Sequence, residues 1–183
     1  MRIRFVVFLL IAFAVIATAY PLIAADGQSS KAQVDQALKA APKSITEHAT
    51  IATADGKVLR QGSNGWTCLP DMGPGSSHPG CFDEVWMQFM HAMMNKSEFK
   101  SDRVGISYML AGDDNVNNAD PFDKKQDPGE VWVAEGPHLM IAVPDPKMLE
   151  GISDDPKNGG PYVMWKGTPY AHIMVPVASH PSK

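Results

Sequence analysis

The chain has 183 residues, two cysteines and a formal net charge of −4, with 44% hydrophobic and 20% charged residues. That length suits one domain with its own core. The mildly acidic balance argues against nucleic acid or an anionic lipid surface as a general partner.

Residues 1–25 read as a cleaved signal peptide. Arg2 and Arg4 form a positive start, Phe5 to Ala19 is apolar and uncharged, and Ile23-Ala24-Ala25 supplies small residues for cleavage. Ala17-Thr18-Ala19 is a second cleavage choice, and a retained anchor is the competing reading, since Phe5 to Ala25 can just span about 30 Å of hydrocarbon. Cleavage after Ala25 removes two arginines, takes the charge to −6 and leaves 158 residues, none of them in a stretch suited to a membrane.

Residues 26–42 are a polar leader and a short helix, with Val34 and Leu38 at i and i+4 and Pro42 as its stop. Residues 43–178 are expected to form a single globular domain, and 179–183 a tail. Ser44-Ile45-Thr46-Glu47 fits a capping box. Ala49–Thr53 and Lys57–Gln61 read as a hairpin turned by Asp55-Gly56. Gly62 to Gly80 reads as irregular chain that carries Trp66 to the cysteines. In an exported protein, Cys68 and Cys81 are expected to pair, because their spacing is neither C-x-x-C nor that of a zinc knuckle. Closing a loop of that size is worth about 3 kcal/mol in the chain-entropy model.

Phe82 to Lys96 is the principal predicted helix, with Phe82, Val85, Trp86, Phe89 and Met93 as one apolar stripe. Beside it, Met87, Met90, His91 and Met94 have helical spacing that suits either a helix–sheet boundary or a soft metal. Arg103–Ala111 reads as a strand, and Gly112 to Glu130 as a long polar loop. In that loop Asp113, Asn115 and Asn117 fall at alternate calcium-ligand positions, but Asn118 replaces the usual glycine and Lys124 the bidentate acid. Val131–Ala134 is a short strand, Lys147–Glu150 a helical turn, and two strands around a Lys166–Pro169 turn close the fold.

The strands beginning at His138 and near Tyr170 both alternate. Leu139, Ile141, Val143 and Ala171, Ile173, Val175, Val177 form aliphatic faces, which are expected to turn inward. That leaves His138 and Met140, and His172 and Met174, on the other side. Imidazole plus thioether is a soft ligand set suited to copper, especially Cu(I). Trp66, Trp132, Trp165 and Tyr170 are the candidate contacts for a small ligand or a partner. For hydrolysis there is no Gly-x-Ser-x-Gly, Ser-x-x-Lys or His-Glu-x-x-His, so His138 or His172 would have to act within an unfamiliar arrangement.

The segments Gly62–Cys68, Gly136-Pro137-His138, Val143-Pro144-Asp145-Pro146 and Asn158 to Val177 resemble an uncharacterised family of exported bacterial proteins. The resemblance covers about Pro42–Val177. It implies a bacterial, exported, single-domain protein and transfers no activity or cofactor. The expected fold class is α+β: a mainly antiparallel sheet of about five to seven strands, with the 82–96 helix packed on it. The expected function is non-enzymatic binding of a small ligand or protein partner in the periplasm or outside the cell. A copper site built from the His-x-Met pairs is one alternative and a hydrolase another.

Overall fold

The computed structural model describes residues 23–73 and 75–178. The proposed signal segment therefore lies outside the described residues except for Ile23–Ala25, and the 179–183 tail lies wholly outside them. Two helices lead, α1 (Ile23–Ala37) and the single turn α2 (Lys43–Thr46). Strands β1 (Thr50–Ala52), β2 (Val58–Arg60), β3 (Thr67–Leu69) and β4 (Gly80–Phe82) precede helix α3 (Glu84–Met94). Then come β5 (Gly105–Met109), β6 (Val116–Asn117), β7 (Trp132–Val133), β8 (His138–Ala142), a 3-10 turn at Pro146–Leu149, β9 (Tyr162–Met164) and β10 (His172–Pro176).

Eight strands form one sheet in the order β2-β1-β3-β4-β5-β8-β10-β9, and β6 and β7 form a separate pair. Every pairing is antiparallel except β1 with β3. The α+β class and the antiparallel character agree with the sequence, but the strand number exceeds five to seven. The excess comes from β3 and β4, which replace the expected irregular chain. Each is three residues long, too short to show a period, and they lie side by side with Cys68 directly opposite Cys81. Those two cysteines are disulfide-bonded.

Local chemistry explains most of the elements. Gly56 has φ +90°, the left-handed conformation that the hairpin turn between β1 and β2 requires. Pro42, not Ser44, precedes the first helical residue of α2, so Ser44 sits inside the turn and the capping box is not formed. Helix α3 is shorter than 82–96 because Phe82 belongs to β4 and Asp83 is the cap. Asp83 Oδ1 accepts from the Trp86 amide at 2.7 Å, and its Oδ2 accepts from the Ile106 amide of β5, also at 2.7 Å. Gly105 lets the helix come close, since a Cβ there would lie 3.0 Å from Trp86 N.

Val85, Trp86, Phe89 and Ala92 are the buried stripe of α3. Full burial of a side chain of Phe size contributes about 1.5–3 kcal/mol, so this stripe chooses the face of the sheet on which the helix sits. It chooses the face carrying His138, Met140, His172 and Met174, all buried. The expectation that the aliphatic side points inward is thereby overturned: Leu139, Ile141, Ile173 and Val175 are only half-buried. That opposite face is covered at its two ends. Ala37, Ala40 and Ala41 pack on Ile51 and the disulfide at one end, and Leu149 and Val143 pack with Val163 at the other.

Candidate functional site

Strands β8 and β10 are antiparallel neighbours, and their register decides what the two His-x-Met pairs can do. Met174 is directly opposite Met140, and Pro176 is opposite His138. His172 lies two residues before Met174, at the other end of the pairing, so along the strands the two methionines lie between the two histidines. Along the strands the histidine Cα atoms are offset by about 13 Å, four residues at ~3.3 Å each. Ser107 of β5 is also opposite Met140 and on the same face.

The two imidazoles are held alike. His138 Nδ1 donates to Gly136 O at 2.7 Å and His172 Nδ1 donates to Tyr170 O at 3.0 Å. A carbonyl oxygen can only accept, so each neutral ring carries its proton on Nδ1 and its lone pair on Nε2. Both Nε2 atoms, like Ser107 Oγ, are buried without a hydrogen-bond partner. His172 is packed by Trp165, Trp86 and Phe89 at ring-centroid distances of 4.9, 5.4 and 5.6 Å. Burial lowers its pKa to about 4, and His138 adds to the lowering while the Tyr170 carbonyl opposes it.

Acidic groups gather at the His138 end. Burial raises the pKa of Asp113, and the nearby His138 opposes that rise. Tyr162 Oη donates to Glu135 Oε2 at 2.9 Å, and burial followed by the Glu135 charge pushes the phenol well above its ordinary value. His78 Nδ1 lies 2.9 Å from Asp114 Oδ1, a pairing across 36 residues with no local sequence signal. Neither His138 nor His172 is hydrogen-bonded to an Asp, and Ser107 Oγ has no base beside it at hydrogen-bond distance. Among the described residues, then, no nucleophile–base–acid relay is assembled around either histidine.

The four aromatic candidates do not share one cavity. Trp66 packs on Tyr108, 5.5 Å between centroids, at the disulfide side of the sheet. Tyr170 is buried and donates to Ser97 O at 3.0 Å. Trp132 and Trp165 do come together, lining a cleft of about 210 Å³ with Asn117, Asp120, Asp123 and Lys124. Trp165 Nε1 donates to Asn117 O and Trp132 Nε1 to Glu130 Oε2, each at 2.9 Å. Asp123 Oδ2 accepts from Asn117 Nδ2 at 2.7 Å. The Asp123 pKa is raised, by burial first and then by the neighbouring Glu130 and Asp120 carboxylates. That of Glu130 is lowered by the amide of Asp127 and the Trp132 indole N–H.

The calcium reading of the same loop meets a structural alternative. Asn117 Oδ1 accepts from the Ala119 and Asp120 amides, and Asp113 Oδ1 accepts from the Asp114 amide, so these side chains close turns. On α3, Met87 and Met90 pack against the core, whereas His91 and Met94 face solvent. Among the described residues no three His, Cys, Asp or Glu side chains converge in a way that could hold a metal ion. Comparison of the chain with protein-family models, with curated proteins and with solved structures finds no match in any of the three.

Proposed function

We propose that this is a non-enzymatic, exported bacterial protein, periplasmic or secreted, that binds a small organic cation in the cleft between Trp132 and Trp165. Export is supported by the N-terminal apolar stretch, by the Cys68–Cys81 disulfide and by the resemblance to exported proteins. Among the described residues no helix is long and apolar enough to cross a membrane.

The observation that carries the ligand class is the crowding of Asp120, Asp123 and Glu130 around two indoles. One lysine, Lys124, lines the cleft against Asp120 and Asp123, and Glu130 lies beside them on the Trp132 indole N–H, so the local balance is negative. The Asp123 pKa is raised by burial first and by the Glu130 and Asp120 charges after it, and a bound cation would oppose the part due to those charges. Indole faces add a cation–π contribution of about 0.5–2 kcal/mol for a quaternary or primary ammonium. Both indoles are pinned by their N–H bonds, so little side-chain freedom remains to be lost on binding.

Titration with choline, followed by tryptophan fluorescence and calorimetry, tests the reading. Saturable binding by the wild type is expected, with at least a tenfold loss in Trp132→Ala and in Asp123→Asn. The neutral isostere 3,3-dimethyl-1-butanol should bind at least tenfold more weakly. Equal binding of the neutral compound, or none of choline by the wild type, rejects the cationic ligand.

A further inference from the structure

The acidic tip of the long loop, residues 119–130, reaches the body of the protein through an aromatic side chain. Phe122 lies between Asp120 and Asp123, the two carboxylates that line the cleft. Its ring meets Tyr170 edge-on at 5.7 Å between centroids, and Lys96 Nζ sits over it, 4.8 Å from its centroid. Tyr170 is buried in the core and bonded to the Ser97 carbonyl, so the surface that receives Phe122 is firm.

Hydrogen bonds do not secure the tip to the body. Among the described residues, those made by 119–130 all stay within 117–132. The stem below is held differently: Trp165 donates its backbone N–H to Asn118 O at 2.8 Å and its indole N–H to Asn117 O at 2.9 Å. A stem fixed by hydrogen bonds and a tip fixed by a ring make a part that opens at its end.

The ammonium over that ring stands on an unfavourable backbone. Helix α3 ends in a Schellman motif, in which the Lys96 amide donates to Met93 O at 3.0 Å and the Ser97 amide to Ala92 O at 2.9 Å. This puts Lys96 at φ +51°, the left-handed conformation in which glycine is the usual residue. A lysine within the last helical turn would serve the helix dipole equally well without that conformation. What lysine supplies here, and glycine cannot, is the cation on Phe122. We propose that Lys96 and Phe122 form a latch that holds the acidic tip against the end of α3 and thereby positions Asp120 and Asp123 in the cleft. The effect on binding rests on the cation reading of that cleft; the latch does not.

Hydrogen exchange of the tip amides, in the full chain without ligand, tests the latch in Lys96→Gly, Lys96→Arg and Phe122→Ala. Glycine suits the left-handed position, so Lys96→Gly should keep or raise the thermal midpoint of unfolding. It should nevertheless speed exchange in residues 119–130 by about two- to fivefold, the factor that an exposed cation–π contact supports. Lys96→Arg keeps the cation and should keep wild-type exchange there, whereas Phe122→Ala should speed it by about tenfold. Choline affinity should fall in the same order, most in Phe122→Ala. Unchanged exchange in either Lys96→Gly or Phe122→Ala overturns the latch, as does equal loosening by Lys96→Arg. Faster exchange in the two variants with no choline binding by the wild type keeps the latch and rejects the cation reading, so the two fail separately.

Discussion

The two faces of the main sheet invert the usual relation between polarity and burial. On the face that α3 packs against, His138, His172, Ser107 and four methionines are buried; on the other, Leu139, Ile141, Ile173 and Val175 are left half in water. The difference shows that a strand's aliphatic side is not necessarily its inner side. Burial here follows the element with the most to hide, and Trp86 and Phe89 on α3 outweigh any pair of aliphatic residues on β8 or β10.

The largest expected effect comes from removing what creates the asymmetry. Phe89 is 2% exposed and stacks on Trp86 at 4.8 Å, so Phe89→Ala should cost about 3–5 kcal/mol in denaturant unfolding. A loss under about 1 kcal/mol would mean that α3 does not define the core.

His172 gives the next largest effect, as a pH dependence of stability. Its folded pKa of about 4 is below the ordinary 6.5, so the unfolded chain binds the proton first as the pH falls. Stability is therefore fully present above about pH 6.5 and is lost as the pH falls toward 4, by about 3 kcal/mol at ~1.4 kcal/mol per unit. Urea unfolding at pH 7 and pH 4, compared with His172→Gln, isolates this contribution. A variant with the same acid sensitivity as the wild type would assign the loss to other groups.

The smallest effect belongs to the other face. Val175→Thr, on the half-buried side of β10, should change stability by about 0.5 kcal/mol or less. A cost near that of Phe89→Ala would show that the aliphatic face is a second core after all.

Much of this architecture is legible in the chain. Asp55-Gly56 announces its hairpin, the spacing of Val85, Trp86 and Phe89 announces α3, and alternation announces β5, β8 and β10. Alternation also assigns His138, Met140, His172 and Met174 to one side. What alternation cannot supply is which side meets the helix, because that depends on how far α3 is carried over the sheet. Strands β3 and β4 are invisible to a period of two, since each offers only three residues. Their pairing follows from the disulfide and from β1, a contact between distant parts of the chain. In the cleft, Trp132 and Trp165 are recognisable as candidates, but Asp123 and Glu130 come together only when the long loop folds back. Nothing local marks them.

Asp83 has a consequence beyond capping. One of its oxygens accepts the Trp86 amide in the first turn of α3 and the other accepts an amide of β5, while its own N–H donates to Ile106 O. Fraying of the first helical turn and separation of helix from sheet therefore break the same carboxylate's bonds. The helix cannot loosen at its start and remain docked there, so this end of α3 behaves as a latch that is either shut or open, and small independent motions of the two elements are suppressed.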